Sequence, residues 1–93
     1  MPDTLHSLEK VLVDRQTQRP ADSYSVRLFD DRELLMRKIM EEAFEVCLEL
    51  GRPLTDPDRV ASEAADLIYH LQAGLVAADV DLDAVLAELE ARR

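Results

Sequence analysis

Glycine, tryptophan and cysteine are scarce in this chain, which has two Gly, no Trp and one Cys among 93 residues. Sheet proteins usually carry more aromatic and turn-forming residues than the 4% aromatics found here, so a helical protein is expected. The single Cys47 excludes an internal disulfide, and on an apolar helix face it is interpreted as a small core residue rather than a reactive thiol. Residues 1–93 are enough for one hydrophobic core and are interpreted as one domain.

Long apolar runs and basic surfaces are also missing. No segment reaches the ~18 apolar residues of a membrane span, and the opening MPDTLHS has neither region of a signal peptide, so we expect a cytoplasmic protein. Asp and Glu total 20 against 11 Lys and Arg, a net charge of −9. Without a basic stripe to release phosphate counterions, DNA and RNA are not expected partners. A small phosphorylated ligand remains open if a metal ion mediates its binding.

Apolar residues spaced three and four apart predict an all-α fold of four helices. The predicted ranges are 4–17, 31–50, 57–78 and a short helix capped by Asp81. Gly51 and Pro53 are expected to end the second of these helices. Residues 15–29, rich in Arg, Ser, Asp and Pro, lack a helical period and are predicted to form a loop.

The second predicted helix carries its acids on one narrow arc, in the stretch 41-EEAFE-45. At a turn of about 100° per residue, Glu41, Glu42 and Glu45 fall within roughly one quarter of the circumference, and most of the rest is apolar. A surface helix usually exposes about half its circumference to water, so this arc is expected to face a crevice. Lys38 lies in the same arc, either as an ion-pair partner of Glu42 or as a phosphate contact.

The third predicted helix repeats the arrangement, with Glu63, Asp66 and His70 on one stripe. The short 51-GRPLTD-56 connection predicts that the two helices are antiparallel neighbours. Their acids would then meet across a groove: Glu42, Glu45, Glu63 and Asp66. Four acids in a partly desolvated groove repel one another, and a divalent cation would remove that cost.

The ligand chemistry favours a hard cation. Oxygen-only ligands predict Mg²⁺ or Mn²⁺, and neither a His/Cys set with zinc spacing nor the paired Glu-x-x-His motifs of a di-iron bundle occur in the sequence. A solvated acidic face is the alternative, since Glu-rich helices are common. His70 is either a satisfied, partly buried histidine or a residue that supports the ligands from behind. Glu49, Glu88 and Glu90 are interpreted as surface charge.

The order Glu-Glu-x-x-Glu followed by Glu-x-x-Asp resembles the signature of the all-α, MazG-like nucleotide pyrophosphohydrolases. It stands here as Glu41, Glu42, Glu45, Glu63 and Asp66. Within that superfamily the chain resembles the phosphoribosyl-ATP pyrophosphatases of histidine biosynthesis, through 19-RPADSYSVRLF-29, 63-EAADLIYHL-71 and 81-DLDAVLAELEARR-93. The resemblance covers nearly the whole chain. It departs from the family at Met40, where many members have Gly, and at Ser25, where many have Thr.

This resemblance implies Mg²⁺-dependent hydrolysis of phosphoribosyl-ATP to phosphoribosyl-AMP and pyrophosphate, the second step of L-histidine biosynthesis. The four converging acids would hold the metal. Glu41 is the candidate for orienting or deprotonating the attacking water, unless a second metal ion does so. Candidate substrate contacts are Lys38, Arg15 and Arg19 for phosphate, and Ser23 and Tyr24 as hydrogen-bond donors.

The resemblance also implies a homodimer that completes the MazG-like bundle, which agrees with helices that are apolar around much of their girth. A stand-alone form is expected, with a separate phosphoribosyl-AMP cyclohydrolase acting next. Two other functions stay open. One is a MazG-type housecleaning enzyme that hydrolyses nucleoside triphosphates; the other is a non-catalytic acidic helical dimerisation module.

Overall fold

The computed structural model describes residues 3–93 as five α-helices, and no strand occurs in that range. The helices are α1 Thr4–Gln18, α2 Tyr24–Asp30, α3 Arg32–Leu50, α4 Pro57–Ala77 and α5 Leu82–Arg92. The all-α fold class is therefore confirmed. The predicted helices 4–17, 31–50 and 57–78 begin and end within one residue of α1, α3 and α4, and the short helix predicted after Asp81 is α5. Met1 and Pro2, which open the stretch judged to lack a signal peptide, lie outside the described residues.

The predicted loop over 15–29 is wrong for much of its length. Its first residues complete α1, and Tyr24–Asp30 form the extra helix α2. Ser23 begins α2 by accepting a hydrogen bond from the Val26 N–H at 3.4 Å. Two left-handed residues, Arg19 at φ 50° and Asp22 at φ 63°, turn the chain between α1 and α2. With only seven residues, α2 is too short for its apolar spacing to stand out.

Helices α3 and α4 form the main framework of the fold, and they are antiparallel. Glu49 near the end of α3 contacts Arg59 near the start of α4, whereas Leu35 and Ile39 lie against Gly74 near the end of α4. Helices α1 and α2 cover one side of this pair. The core between them consists of five buried side chains: Leu12, Leu28, Leu35, Ala73 and Val76.

Helix α5 is held at its N-terminus by contacts with α1. Asp81 occupies the predicted capping position but makes no side-chain cap hydrogen bond, so the predicted role of its side chain is wrong. Glu9 Oε2 accepts the Leu82 N–H instead, at 2.8 Å, because α1 passes beside the start of α5. His6 adds a 2.6 Å contact to Asp83 and a contact to Asp3, and these two carboxylates raise its pKa to about 9.

One apolar face of α3 is left uncovered by the other residues that the structure describes. Met36, Met40, Phe44 and Leu48, called here the apolar stripe, are each more than half exposed and recur at every fourth position. Cys47 is also exposed, so its interpretation as a core residue is wrong for the isolated chain. Among the described residues, no helix is both long and apolar enough to cross a membrane.

Candidate active site

Three acids converge between α3 and α4. Glu42 and Glu45 from α3 and Glu63 from α4 each place one carboxylate oxygen within 4.8 Å of the others. They meet because α3 and α4 are antiparallel and each carries its acids on the face turned toward the other helix. These three residues are called the acid cluster below.

Asp66 lies at the edge of the acid cluster. It is exposed and is not one of the three residues whose oxygens converge. Its negative charge nevertheless contributes to raising the pKa values of both Glu42 and Glu63, so it is close to the cluster. The structure therefore brings three of the four predicted ligands together and leaves Asp66 on the open side.

Two oxygens of the acid cluster are buried without compensation. Glu42 Oε2 and Glu63 Oε2 have no hydrogen-bond partner within residues 3–93. Burial raises the pKa of Glu42, and the charges of Glu45 and Asp66 add to that effect. A hydrogen bond with the Glu45 carboxyl raises the pKa of Glu63, followed by burial and by the neighbouring negative charges. The surroundings of these two carboxyls within the protein therefore disfavour their charged form.

The acid cluster fits a hard divalent cation. Buried polar atoms in native proteins nearly always have a partner, so two orphaned carboxylate oxygens side by side point to a missing positive charge. One carboxylate oxygen from each of the three cluster residues lies within 4.8 Å of the others, close to the roughly 4.2 Å between opposite ligands on one Mg²⁺ ion. Mg²⁺ or Mn²⁺ suits a set of ligands that consists only of carboxylates.

Glu41 and Lys38 lie on the outer rim of the acid cluster. Glu41 is exposed and lies 3.6 Å from Lys38 Nζ and 3.9 Å from Arg37 Nε. The Lys38 ammonium is near enough to Glu42 to oppose the rise in the pKa of that carboxyl. Glu41 is thus ion-paired beside the cluster rather than inside it, and Lys38 holds its positive charge between Glu41 and Glu42.

The predicted contacts from the Arg-Pro segment all lie in or next to the α1–α2 turn. Arg19 Nη2 pairs with Asp30 Oδ1 at 2.5 Å, and Ser23 caps α2 through its side-chain oxygen. Arg15 lies exposed in the last turn of α1 and makes no ion pair within residues 3–93. Arg19 and Ser23 therefore help to shape this turn, and Arg15 presents its charge to solvent.

His70 ties α2 to α4 directly behind Asp66. Its Nδ1 lies 2.8 Å from the Asp66 carbonyl oxygen, which can only accept, so Nδ1 carries the hydrogen. With that hydrogen on Nδ1, Nε2 accepts a hydrogen bond from the Tyr24 hydroxyl at 2.8 Å. Burial raises the pKa of Tyr24, which keeps this hydroxyl protonated. Tyr24 thus donates to His70 in this structure, and its oxygen is left as an acceptor.

Sequence reasoning missed the partners that complete this contact. Ser25 Oγ lies 2.7 Å from the Tyr69 hydroxyl, and the Tyr24 and Tyr69 rings stack with centroids 6.3 Å apart. Both contacts join α2 to α4 beside His70. The sequence signal for these contacts is the pair of polar aromatic residues 69-YH-70. This pair predicts a contact only once Tyr24 and Ser25 are known to lie on a helix that packs against α4.

The interpretation of Glu49 as surface charge is wrong. Glu49 is only 5% exposed and accepts hydrogen bonds from Arg52 Nε at 3.0 Å, Arg59 Nε at 3.1 Å and Arg59 Nη2 at 3.0 Å. The pKa of Glu49 is lowered first by the hydrogen bond from Arg59 and then by the positive charges of Arg52 and Arg59. These three residues are called the Glu49 clamp below. The sequence carried a signal in the two arginines that flank the α3–α4 connection.

Comparisons with known proteins show the family of this chain. The family described as phosphoribosyl-ATP pyrophosphohydrolase matches residues 5–93. The chain is 43% identical to a phosphoribosyl-ATP pyrophosphatase of Roseobacter denitrificans over 97% of the chain and 85% of that protein. It is 38% identical to the phosphoribosyl-ATP pyrophosphatase of Halobacterium salinarum over the full length of both. A histidine biosynthesis trifunctional protein of Neurospora crassa is 41% identical over 95% of the chain and 10% of its own length. The chain belongs to the phosphoribosyl-ATP pyrophosphohydrolase family.

Proposed function

We propose that this protein hydrolyses phosphoribosyl-ATP between the α and β phosphates, giving phosphoribosyl-AMP and pyrophosphate in the second step of L-histidine biosynthesis. Membership of the family supports the substrate. The observation that carries the chemistry is the acid cluster, whose two buried oxygens lack a partner among the described residues. A cytoplasmic location follows from this biosynthetic role, and phosphoribosyl-AMP would pass to a phosphoribosyl-AMP cyclohydrolase.

The proposed metal ligands are Glu42, Glu45 and Glu63, with Asp66 completing the set from the open side. When bound there, Mg²⁺ would neutralise phosphate charge and polarise the phosphorus that is attacked. The acids hold negative charge at fixed positions, because α3 and α4 pack tightly against each other. His70 supports this arrangement through its hydrogen bond to the Asp66 carbonyl oxygen.

Glu41 is proposed to orient the attacking water and accept its proton. As the water oxygen bonds to the α-phosphorus, the bond to the bridging oxygen breaks and pyrophosphate leaves with that electron pair. Glu41 suits this role because its carboxylate lies on the rim, with Lys38 and Arg37 at 3.6 and 3.9 Å, and is exposed to incoming water. Lys38 is positioned to contact the departing phosphates from the same rim.

The α1–α2 turn is proposed to contact the rest of the substrate. Arg15 has an exposed guanidinium, and Arg19 would exchange its pair with Asp30 for a phosphate group. Ser23 keeps a hydroxyl proton for donation while its oxygen caps α2. The Tyr24 hydroxyl donates to His70 Nε2 and can also accept a hydrogen bond from the substrate through its oxygen, and its predicted role as a donor to the substrate stays a prediction.

A second copy of the chain is the proposed cover for the apolar stripe on α3. Four large apolar side chains, each more than half exposed, line a surface beside the Arg37 and Glu41 charges. In a twofold dimer the same surface of both copies would meet, so each stripe would cover the other. Light scattering after size exclusion should give twice the chain mass for the wild type and a monomer for Met40→Glu.

Substrate profiling tests the proposed function. Pyrophosphate release is measured from phosphoribosyl-ATP, ATP, dCTP and dUTP, with and without Mg²⁺. We expect Mg²⁺-dependent release from phosphoribosyl-ATP alone. Turnover of the simple triphosphates would place the protein among the housecleaning enzymes instead, and no release from any substrate would favour a non-catalytic dimerisation module. Glu88→Gln, which alters an exposed acid on α5, is the matched control for acid-cluster variants.

A further inference from the structure

The Glu49 clamp lies one helical turn from the acid cluster on both helices that build it. Glu49 follows Glu45 by four residues on α3, and Arg59 precedes Glu63 by four residues on α4. Four residues are about one turn, or roughly 5–6 Å along a helix. The clamp and the Glu45–Glu63 approach are therefore successive contacts across the same antiparallel pair.

The geometry of the clamp fixes how the two helices align. Arg59 donates from both Nε and Nη2, at 3.1 and 3.0 Å, to the two oxygens of Glu49. Such a two-point contact constrains distance and orientation together, unlike a single point charge. The Glu49 side chain is only 6% exposed, whereas Arg59 is 59% exposed, so the two hydrogen bonds hold a buried carboxylate to an arginine that reaches the surface. A sliding movement of α4 along α3 would break both hydrogen bonds.

We propose that Glu49 and Arg59 are positioning residues that set the alignment of α3 and α4 and thereby hold Glu45 and Glu63 at the separation needed to bind a divalent cation. This inference rests on the proposed function, because it assumes that the acid cluster binds the metal. Neither Glu49 nor Arg59 is a proposed metal ligand. Their effect passes through the backbone of the two helices.

A purely electrostatic role for Arg59 and a positioning role predict opposite changes in the Mg²⁺ affinity of Arg59→Gln. Arg59 is a positive charge close enough to Glu63 for that carboxylate to help raise the arginine pKa. If only charge mattered, Arg59→Gln would tighten Mg²⁺ binding by removing a repelling cation, and Glu49→Gln would weaken it. If positioning matters, both substitutions weaken binding.

The test measures Mg²⁺ affinity directly by calorimetry and, separately, the Mg²⁺ concentration for half-maximal activity. Glu49→Gln and Arg59→Gln are each expected to weaken Mg²⁺ binding about tenfold, the scale seen when residues that orient metal ligands are removed. The double variant should be no weaker than either single variant, since both remove the same contact. Activity at saturating Mg²⁺ should stay within about threefold of the wild type.

Arg52→Gln is the matched control. Arg52 also donates to Glu49, at 3.0 Å, but it follows Glu49 by only three residues, just after the end of α3, and does not bridge α3 and α4. Its removal should change Mg²⁺ affinity by less than about twofold. Arg59→Lys keeps the positive charge but loses the two-point contact, so it should also weaken Mg²⁺ binding. This variant replaces Arg59→Gln in the test if the glutamine variant fails to fold.

Tighter binding by Arg59→Gln, or unchanged affinity in both glutamine variants despite a lower melting temperature, would overturn the positioning role. In either case the wild type still binds Mg²⁺ and hydrolyses phosphoribosyl-ATP, so the proposed function stands. A wild type that neither binds Mg²⁺ nor releases pyrophosphate contradicts the proposed function itself, and the positioning role falls with it.

Discussion

Two sites on the same pair of helices contain acids, and the protein treats those acids in opposite ways. In the Glu49 clamp, two arginines donate three hydrogen bonds to one carboxylate, and the pKa of Glu49 is lowered. In the acid cluster, Glu42 and Glu63 each bury an oxygen without a partner among the described residues, and their pKa values are raised.

The difference shows where a positive charge is missing. A buried charge without a partner costs several kcal/mol, and the α3–α4 pair meets that cost at Glu49 with arginine. Neither Arg52 nor Arg59 donates a hydrogen bond to the acid cluster, where Lys38 only moderates the rise in the pKa of Glu42. Glu49, which arginines neutralise, is therefore structural. The acid cluster, which the described residues leave without such partners, is suited to bind a cation from solution.

The largest expected effect comes from removing an acid of the cluster. Glu45→Gln keeps the side-chain shape but removes a proposed ligand, and we expect pyrophosphate release to fall about 1,000-fold. Residues that merely orient ligands already cost 10–100-fold, so a ligand itself should cost more. Steady-state assays at several Mg²⁺ concentrations make the measurement. Retention of wild-type activity, equal to that of the Glu88→Gln control, would contradict the role of the cluster.

Glu41→Gln should have the next largest effect. Loss of a general base lowers kcat by about 100-fold or more, and because Glu41 is not a member of the cluster, Mg²⁺ affinity should stay within about twofold. Single-turnover assays and calorimetry give the two values. If Mg²⁺ affinity falls together with kcat, Glu41 acts as a ligand and the water is activated in another way.

Magnesium should stabilise the wild type and leave cluster variants unaffected. At a concentration about 100 times the dissociation constant, a ligand adds about 2.7 kcal/mol, which corresponds to ~10 °C or more in melting temperature for a chain of this size. Glu45→Gln and Asp66→Asn should show little shift, and without metal they should melt at or above the wild-type temperature because a repulsion is relieved. An equal Mg²⁺ response in all three proteins is the contrary result.

The smallest effect is on the dependence of stability on pH, where the two acid groups should act with opposite sign. Glu49 has a folded pKa below its ordinary value of 4.5, so its stabilisation is present above pH 4.5 and is lost as pH falls through the folded pKa. Glu63 has a folded pKa above 4.5, so metal-free stability falls as pH rises from 4.5 through that value.

Denaturant unfolding without metal, over a series of pH values, separates the two contributions. Glu49→Gln should flatten the loss of stability on the acidic side, and Glu63→Gln should flatten the loss on the side toward neutral pH. Parallel profiles for both variants would mean that the two groups of acids are in similar environments after all.

The features predicted well from the sequence are those that depend on local spacing. The four longer helices and the meeting of Glu42, Glu45 and Glu63 follow from helical periodicity and one short connection. Helix α2 was missed because seven residues give too few turns for a period, although the Ser23 cap is a local signal.

The features that were missed depend on contacts between distant residues. Glu49 and Arg59 are ten residues apart, and only the packing of α3 on α4 turns a surface pattern into a buried ion pair. The cap of α5 comes from Glu9, which is 73 residues away from Leu82. Cys47 was placed in the core because its helix face is apolar, yet the described chain leaves that face uncovered.

The most direct test of the central claim is a Mg²⁺ titration of pyrophosphate release from phosphoribosyl-ATP by the wild type and Glu45→Gln side by side. The account predicts no release without metal, saturable activation of the wild type, and loss of that activation in Glu45→Gln. Release that does not depend on a divalent cation, or equal activation of both proteins, would contradict the claim that the partnerless acids of α3 and α4 hold the catalytic metal.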